Sequence, residues 1–498
     1  MKWNSFALIA LLQLMVIVKI TAQDFTETRI FQPDEMRQDY NYLRKALEET
    51  HPGLYMHHTK EEMQFKMNSL YKLLDKPLPF LQFYKIIAYL IAEVKCEHTY
   101  SNPYGADYQK RVMQWKMLPF QPFFVNGKCL VALNRSADTS IHPGDEIISI
   151  NHRPIDSIKH EIYKYLPADG NMESSKEVMI SSLNFNIYYC LFIEQQSAYD
   201  VEYKKQDGQV VNRHYDGELA VAESNKLAMK NSVNKKVLDL ANRNAKLNKT
   251  SLRLEIVKEQ NAAILTVKEF GGDRDKIFKK YNEFFANIQK EKIDNLIINL
   301  AYNGGGDEEY ACELLSYLID KPTRFIDGEY IINDSEEYKK VSNFPKDVLE
   351  NWNAFVEPMK DGKAFAIPLT KYSMELKTFD PKTNRFTGHV YFYVNGGTSS
   401  AASTCAANAK SFKLATIVGD ETAGSFAGGG STNGLDLVLP NSKITAHTSV
   451  LYCKFSTNGG DKDRGVIPDY YFNPSLNEIL EQPDGWRNLI YDLIKNKK

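Results

Sequence analysis

Small and hydroxyl-bearing residues at 396–403 follow a short β-branched and aromatic run in the second half of the chain. The run 390–394 predicts a buried strand, and the Ala-rich segment 401–409 predicts a helix that begins at once. A serine at such a junction lies over a helix N-terminus, whose N–H groups can stabilise a developing oxyanion. This position is suitable for a nucleophile. The alternative is that Thr398 or Ser399 simply caps the helix, which is the commoner role for hydroxyl groups at such a junction.

A glycine-rich turn, residues 303–306 (Asn-Gly-Gly-Gly), follows a second predicted buried strand at 296–300 and precedes a predicted helix at 307–318. Glycines in this position let the backbone approach a ligand closely while helix N–H groups point outward. A phosphate-binding loop is a competing interpretation, but the Lys-Ser/Thr pair that such loops require is missing. A plain tight turn is the other alternative.

A base that could activate a serine stands where a predicted helix ends. Residues 96–99 read Cys-Glu-His-Thr and place His98 in a polar turn. An imidazole titrates near neutral pH, so it can take the proton of a serine hydroxyl and return it to a leaving amine. Without a partner, a histidine at a helix C-terminus is better explained by the helix dipole. Structural roles are expected for the competing histidines, which are His51, His389 and His447.

The first part of the mature chain is predicted to be helical. Apolar side chains at helical spacing over 33–94 indicate three helices, and we assign residues 24–110 to an N-terminal helical domain. Thr59 and Glu62 form a capping box that opens the second of these helices.

The next part, 112–213, predicts short strands joined by turns, with a closing hairpin around Asp207-Gly208. Residues 142–151 resemble the carboxylate-binding loop and strand of PDZ domains, which bind an extended peptide by strand addition. The polar stretch 214–250 is then expected to be a linking region with helical character.

From residue 252 the chain alternates predicted strands and helices, which is the pattern of a sheet with packed crossover helices. We assign 251–475 to this α/β core and 476–498 to a C-terminal helical tail. The fold class expected for the whole chain is therefore multidomain, α+β and α/β.

Residues 1–22 match a signal peptide, because Lys2 precedes an apolar run at 6–18 and Ala22 supplies a small residue at the cut. An uncleaved anchor is the alternative, but the run is short for a membrane span. No later stretch is long and apolar enough to cross a bilayer. The mature protein is expected to be soluble and exported, to the periplasm or the extracellular space.

Composition excludes some partners and cofactors. The formal net charge is −2 and no basic stripe is present, so nucleic acid is not an expected ligand. The six cysteines contain no C-x-x-C pair and match neither a zinc site nor a dense disulfide framework. One or two disulfides are permitted in an oxidising compartment, and the sequence does not pair them.

Four motifs, taken in order, resemble peptidase family S41, which contains the C-terminal processing (tail-specific) and tricorn-like serine peptidases. They are the segments 299–306, similar to D-L-R-x-N-x-G-G, 396–403, similar to G-T-A-S-A-S-E, 419–424, similar to G-E-x-T-x-G, and 465–469, similar to G-V-x-P-D. The PDZ-like segment and a D-G-H-T-like turn at 96–99 complete the order. The resemblance covers nearly the whole mature chain and implies a ClpP/crotonase-like peptidase core at 251–475.

The resemblance implies a catalytic set. Aligning the nucleophile turn selects Ser400, and the lysine that activates the serine in the processing proteases falls at Ser425, which cannot act as a base. The tricorn-like branch uses a histidine before the PDZ region, and His98 matches it. The acidic residue of the family lies shortly before G-V-x-P-D, where both Asp461 and Asp463 qualify and Asp463 is preferred.

The family pattern also implies an oxyanion hole made by the N–H of Gly305 or Gly306 together with that of Ala401. The expected activity is that of a serine endopeptidase acting on peptides or unfolded proteins, without metal or cofactor. A catalytically inactive peptide- or ligand-binding protein on the same fold is the alternative, since a fold does not guarantee chemistry. An esterase is a third possibility, but the G-x-S-x-G elbow is missing.

Overall fold

The computed structural model describes residues 29–181, 183–219, 222–247, 250–359, 364–472, 474–482 and 484–496. The predicted signal peptide lies outside these residues. Within the described ranges, no helix combines the length and apolar character that crossing a membrane requires. All six cysteines are buried, and none of them forms a disulfide.

Three helices form the first part of the chain, as the apolar spacing predicted. The elements are β1 (Ile30–Phe31), α1 (Pro33–Thr50), α2 (Lys60–Lys72), β2 (Leu78–Pro79) and α3 (Phe80–Glu93). Thr59 and Glu62 form the predicted capping box at the start of α2. Buried side chains along α3, such as Phe83, Ile87 and Leu90, fix this helix in the main hydrophobic core.

The chain leaves α3 by a sharp turn at Lys95, whose φ is 56°. Residues 96–99 follow this turn, and β3 (Tyr100–Asn102) then pairs antiparallel with residues 445–447 near the other end of the chain. The turn that carries His98 is therefore held between a helix of the first part and a strand of the last.

The second part of the chain is an antiparallel sheet in the strand order β10-β9-β7-β6-β5, with β8 paired to β7. Its elements are α4 (Tyr108–Val112), β4 (Lys116–Met117), β5 (Phe120–Val125), β6 (Lys128–Asn134), β7 (Glu146–Ile150), β8 (Arg153–Pro154), α5 (Ile155–Tyr163), α6 (Glu173–Ile180), α7 (Leu183–Phe192), β9 (Ala198–Lys204) and β10 (Val210–Asp216). The predicted hairpin around Asp207-Gly208 is confirmed by the pairing of β9 with β10.

The helices α5, α6 and α7 differ from the expectation of strands and turns alone for 112–213. The side chains of Ile155, Ile158 and Ile162 lie on one face of α5 and are buried. In α5 the apolar residues recur at helical spacing, which favours a helix. Polar residues between them make this period hard to recognise in the sequence.

The predicted linking region folds onto the second part. It contains β11 (Glu218–Leu219), α8 (Ala222–Lys230) and α9 (Lys235–Leu247). Ala228 of α8 and the nearby Val237 of α9 pack on Leu133 of β6. These helices are thus docked against the sheet.

The last part holds a sheet in the order β12-β13-β14-β18-β19-β24, a second sheet in the order β16-β17-β15-β23-β20, and a three-stranded sheet in the order β21-β22-β3. Its elements are β12 (Leu252–Val257), β13 (Ala262–Val267), α10 (Arg274–Lys290), β14 (Asn295–Asn299), α11 (Glu308–Leu315), β15 (Ile326–Ile331), α12 (Glu336–Lys339), α13 (Lys346–Glu350), α14 (Trp352–Phe355), β16 (Glu357–Pro358), β17 (Phe365–Ala366), β18 (His389–Val394), α15 (Ala401–Ser411), β19 (Thr416–Gly419), β20 (Gly428–Gly430), β21 (Gly434–Val438), β22 (Thr445–Ser449), β23 (Tyr452–Phe455), β24 (Tyr470–Tyr471), α16 (Leu476–Glu481) and α17 (Trp486–Asn496).

In the first of these sheets β12 is antiparallel to β13, and the strands from β13 to β24 run parallel. Asn299 at the end of β14 is in register with Tyr393 on β18. Since parallel strands end at the same edge, the turns that follow β14 and β18 lie side by side. These turns carry the glycines 304–306 and Ser400.

Candidate active site

Ser400 stands between β18 and α15 in a strained backbone conformation, with φ 51° and ψ −130°. A serine rarely adopts a positive φ, and such strain persists only where the surrounding structure imposes it. No side chain caps α15, so the alternative in which Thr398 or Ser399 merely caps this helix does not describe the turn.

The turn before Ser400 is locked by Thr398, whose side chain is fully buried. Thr398 Oγ1 donates a hydrogen bond to Leu300 O (3.0 Å) and accepts one from Asn395 N (3.1 Å). Ser399 N donates to Asn303 O at 3.0 Å. These bonds tie the nucleophile turn to the glycine turn after β14.

Ser400 and His98 line one small cavity of about 20 Å³. Three carboxylates, those of Glu97, Asp169 and Glu308, line the same cavity. The structure thus brings together a serine and a histidine that are 302 residues apart in sequence. No hydrogen bond joins Ser400 Oγ to His98 in the described part of the chain, and such catalytic contacts commonly tighten only around substrate.

The imidazole of His98 is shielded, and burial lowers its pKa below the usual 6.5. Its Nδ1 atom lies 3.8 Å from Glu97 Oε1 and has no hydrogen-bond partner among the described residues. A neutral imidazole at neutral pH is the form that can accept a proton.

Glu97 is a site residue that the sequence reasoning missed. Its Oε1 accepts a hydrogen bond from Ser399 Oγ at 2.6 Å and one from Ser400 N at 3.3 Å. Its position next to His98 was the available signal, but neighbours in sequence need not face one another. Here the turn after α3 directs both side chains toward the nucleophile.

Asp169 holds the backbone of Glu97 in place. Its Oδ1 accepts from Glu97 N at 2.8 Å, and its Oδ2 accepts from Ser425 N at 3.3 Å. Burial, together with the nearby carboxylate of Glu97, raises the pKa of Asp169 well above its usual value. Ser425, at the position of the lysine of the processing proteases, lines the cavity, and no lysine is among the described side chains that do so.

Asp463, the preferred acidic partner, is bonded to a different imidazole. Its Oδ1 lies 2.5 Å from His57 Nδ1, and it is not among the residues that line the cavity of Ser400. Asp461 Oδ1 accepts from Asp463 N at 2.9 Å. Neither aspartate has a hydrogen bond or ion pair with His98 among the described contacts, so the structure does not join them to the Ser400 and His98 pair.

The glycine turn lies directly against the nucleophile. A Cβ on Gly305 would stand 2.5 Å from Ser400 Cβ, and the φ of Gly305 is +97°. Gly305 N already donates to Asn303 Oδ1 at 2.9 Å. The N–H groups of Gly306 and Ala401 have no acceptor among the described residues, so these two can donate to a ligand, whereas that of Gly305 is already used.

The other histidines have structural partners. His51 Nε2 is 3.0 Å from Thr99 Oγ1 in a buried position, and His447 Nδ1 is 2.8 Å from Asp436 Oδ1. His389 is exposed at the start of β18. None of the three lines the cavity of Ser400. Among the described residues, no group of His, Cys, Asp and Glu is arranged to hold a metal ion.

The glycine strand β20 forms another wall of this cavity and is the edge strand of its sheet. Ala427 and Ser431 bond their neighbours on the β23 side, so the alternation of an antiparallel ladder turns the main-chain groups of Gly428 and Gly430 outward. An open strand edge is a template for an extended peptide.

Comparison with known families places this site in context. Residues 261–472 match the model of peptidase family S41. This segment contains Ser400 and the glycine turn, whereas His98 lies outside it. No curated protein sequence matches the chain.

Solved structures with a similar fold include mature CPAF complexed with lactacystin and a point mutant of CPAF. The first has 14% identity and a TM-score of 0.59 and covers 93% of this chain and 99% of that chain. The second has 14% identity and a TM-score of 0.63, with coverages of 93% and 98%. The photosystem II D1 C-terminal processing protease also matches, with 13% identity, a TM-score of 0.39 and coverages of 88% and 93%. The CPAF structures show a shared mixed α/β multidomain fold.

Proposed function

Because residues 261–472 belong to peptidase family S41, we propose that this chain is an exported serine endopeptidase that hydrolyses peptide bonds. The observation that carries the proposal is the shared cavity of Ser400 and His98, with Ser400 on a strained turn at the N-terminus of α15. Both residues were nominated from the sequence motifs alone. Their proximity in the folded chain is a separate observation that supports the nomination.

The proposed reaction begins with proton transfer from Ser400 Oγ to the neutral imidazole of His98 while Oγ attacks the peptide carbonyl carbon. The oxyanion of the tetrahedral intermediate accepts hydrogen bonds from Gly306 N–H and Ala401 N–H. His98 then returns the proton to the leaving amine, and an acyl group remains on Ser400. Water, activated by the same imidazole, hydrolyses this ester and restores the serine.

Glu97 is the carboxylate that we assign to His98 in this reaction. Its Oε1 is 3.8 Å from His98 Nδ1, close enough to favour the imidazolium that forms after proton transfer. Asp463, preferred from the family pattern, is already bonded to His57. The experiment that separates the two is a comparison of Glu97→Gln with Asp463→Asn, and only the first should slow acylation of Ser400.

The proposed substrate is an extended peptide or an unfolded protein segment. The outward main-chain groups of Gly428 and Gly430 could pair with a substrate backbone beside Ser400, because glycine leaves room for a second strand. The signal-peptide pattern at 1–22 supports action in the periplasm or outside the cell. The PDZ-like segment at 142–151 would then hold or gate the substrate.

The alternative, an inactive peptide- or ligand-binding protein on this fold, draws on one observation. The cavity between Ser400 and His98 is only about 20 Å³, and no hydrogen bond joins the two side chains in the described structure. A binding protein would need neither a serine activated by a histidine nor a cavity large enough to admit a substrate to these two residues.

A fluorophosphonate probe distinguishes these functions, because it labels only an activated serine. We expect Ser400 to be labelled in the parent protein, as read by peptide mass, and Ser400→Ala and His98→Ala to lower labelling by about a thousandfold or more. Ser69→Ala is the matched control, since it removes an exposed hydroxyl on α2 that does not line the cavity, and it should keep labelling. Absence of labelling in folded protein would favour the binding protein, and labelling that persists in His98→Ala would remove His98 from the mechanism.

A further inference from the structure

A second, larger cavity lies at the carboxyl ends of β14, β18 and β19, next to the nucleophile turn but separate from the cavity of Ser400. Its volume is about 380 Å³, which is within the range of sites that hold small organic ligands. The walls come from β5 and α6 of the second part, from α9, and from Tyr302, Asn395 and Asp420 of the core. The crevice beyond the carboxyl ends of parallel strands is a common location for ligands.

The charged side chains that line this cavity are all acidic. Glu177 of α6 and Asp420 after β19 are the only charged side chains among the described lining residues. Asp420 Oδ1 accepts a hydrogen bond from Glu421 N at 2.8 Å, and neither carboxylate is in an ion pair among the described residues. Burial raises the pKa of Glu177 and that of Asp420, and the negative charge of Asp420 adds to the shift of Glu177. The positive charge of Lys159 acts on Glu177 in the opposite direction, but Lys159 does not line the cavity. Two partly desolvated carboxylates facing one cavity favour a positively charged ligand.

The remaining walls are suited to an apolar stem. Aromatic rings of Phe123, Tyr302, Tyr393 and Phe472 face the cavity, and aromatic faces attract cations as well as alkyl groups. Tyr393 is held by stacking on Trp486, with ring centroids 4.5 Å apart. A lining hydroxyl, Ser174 Oγ, is shielded from solvent and has no hydrogen-bond partner among the described residues, so it can accept a hydrogen bond from an ammonium or guanidinium group.

We propose that this cavity is a binding site for an organic cation with an apolar stem, either the side chain of a lysine or arginine in a peptide or a free amine. The cationic group lies between Glu177 and Asp420, and the stem packs on the aromatic walls. The bound ligand also touches Asn395, whose Oδ1 accepts from Tyr302 N at 2.9 Å and from Gly397 N at 3.1 Å. The site therefore adjoins the bonds that join the nucleophile turn to the glycine turn.

The test is calorimetric titration of the Ser400→Ala protein, in which cleavage does not interfere and which makes the result independent of the proposed peptidase activity. The probes are the peptide acetyl-Ala-Ala-Lys-Ala-Ala-amide, the same peptide with norleucine in place of lysine, and N-acetyl-lysine amide. We expect the lysine peptide to bind about tenfold or more tightly than the norleucine peptide. Equal binding of N-acetyl-lysine amide supports the cavity and assigns it to free amines, whereas preference for the peptide assigns it to a peptide side chain.

Two isosteric variants locate the binding in this cavity. Glu177→Gln and Asp420→Asn, each made in the Ser400→Ala background, should weaken the lysine peptide by about tenfold and leave the norleucine peptide unchanged. Glu173→Gln is the matched control, because this exposed residue lies one turn away on α6 and does not line the cavity. The proposal is overturned if both peptides bind equally, if neither binds, or if the two cavity variants bind the lysine peptide as well as Glu173→Gln does.

Discussion

At the scale of single residues, the site depends on conformations that few side chains tolerate. Ser400 has a positive φ, and Gly305 packs against it at a distance that leaves no room for a Cβ. Strain of this kind is kept only where neighbouring hydrogen bonds enforce it. The bonds of Thr398 and Asn303 have that role here.

Substituting Gly305 by alanine should therefore damage the site. The new Cβ would meet Ser400 Cβ at 2.5 Å, and a φ of +97° is unfavourable for alanine, so we expect a loss of about 1–3 kcal/mol in the free energy of unfolding. Labelling of Ser400 should become at least about tenfold slower, because the nucleophile must move. Gly304→Ala is the control, since a Cβ there meets nothing within 4 Å, and equal effects of both substitutions would contradict the prediction.

The pH dependence of labelling reports on His98. Burial lowers the pKa of its imidazole below 6.5, and only the neutral form can accept the proton of Ser400. The rate of fluorophosphonate labelling should therefore fall to half of its maximum only at a pH below 6.5. An inflection above pH 7 would mean that a different group is the base, or that His98 is stabilised in its charged form.

Removing the carboxylate of Glu97 should change the same profile. The charge of Glu97 favours the imidazolium of His98, so Glu97→Gln should move the inflection to lower pH and slow labelling by about tenfold or more at neutral pH. Asp463→Asn is the comparison, and we expect it to leave the inflection in place. A shift of the inflection in Asp463→Asn but not in Glu97→Gln would mean that Asp463, and not Glu97, is the carboxylate that acts on His98.

At the scale of elements, the two catalytic turns form one unit because β14 and β18 are adjacent parallel strands. Thr398 Oγ1 joins them by bonding both Leu300 O and Asn395 N. Asn395 N has no other acceptor among the described residues, whereas Leu300 O also accepts from Asn303 N at 2.9 Å, so the buried hydroxyl matters most for Asn395 N.

Replacing this hydroxyl with a methyl group tests its importance. In Thr398→Val the shape is kept, but Asn395 N and Leu300 O lose this partner in a buried position, at a cost of about 1–3 kcal/mol in the free energy of unfolding. Thr416→Val on β19 is the control, because no described hydrogen bond involves its side chain. Denaturant unfolding measures both, and a Thr398→Val protein as stable as the control would show that the turn is held in another way.

At the scale of the whole molecule, the candidate active site is assembled from distant parts. His98 and Glu97 come from the end of the helical first part, Asp169 from the second part, and Ser400 from the last. Antiparallel pairing of β3 with β22 and the contact of His57 with Asp463 hold the first and last parts together. The site therefore exists only when these parts are packed.

Buried carboxyl groups near the site should make the stability of the molecule depend on pH. Burial raises the pKa of Glu308 to about 8, and burial also raises the pKa values of the bonded pair Glu329 and Glu375. These groups keep protons in the folded state that they lose on unfolding above about pH 4.5, so their stabilising effect is complete below that pH and is lost as the pH rises toward 8.

The contribution of these carboxyl groups to the free energy of unfolding should accordingly fall between pH 5 and pH 8, whereas buried His51 and His98, whose pKa is lowered, contribute in the opposite direction. Denaturant titration of the parent and of Glu375→Gln at several pH values isolates the carboxyl contribution as the difference between the two proteins. Glu375→Gln should flatten this dependence, because an amide keeps the shape of the protonated carboxyl and cannot ionise. Glu336→Gln, an exposed residue on α12, is the control. If the free energy of unfolding has the same pH dependence in the parent and in Glu375→Gln, Glu375 is not one of the groups responsible.

The sequence by itself determined the local features of this protein. Helical spacing located α1 to α3, the run at 390–394 located β18, and the order of four motifs indicated the resemblance to peptidase family S41 and nominated Ser400 and His98. These features depend on side-chain period and turn chemistry within short segments, which a sequence displays directly. The helices α5 and α6 were not predicted because polar residues interrupt their short apolar period, and α7 was not predicted because it is apolar on nearly every side and shows no helical period.

Only the tertiary structure decided which groups meet. It joined Asp463 to His57, turned Glu97 toward the nucleophile, used the N–H of Gly305 within its own turn, and enclosed the second cavity between Glu177 and Asp420. Contacts of this kind depend on how strands, turns and separate parts pack, and several acidic residues in one loop satisfy a sequence pattern equally well. Residue type and spacing can nominate the candidates, whereas the packing of distant elements selects among them.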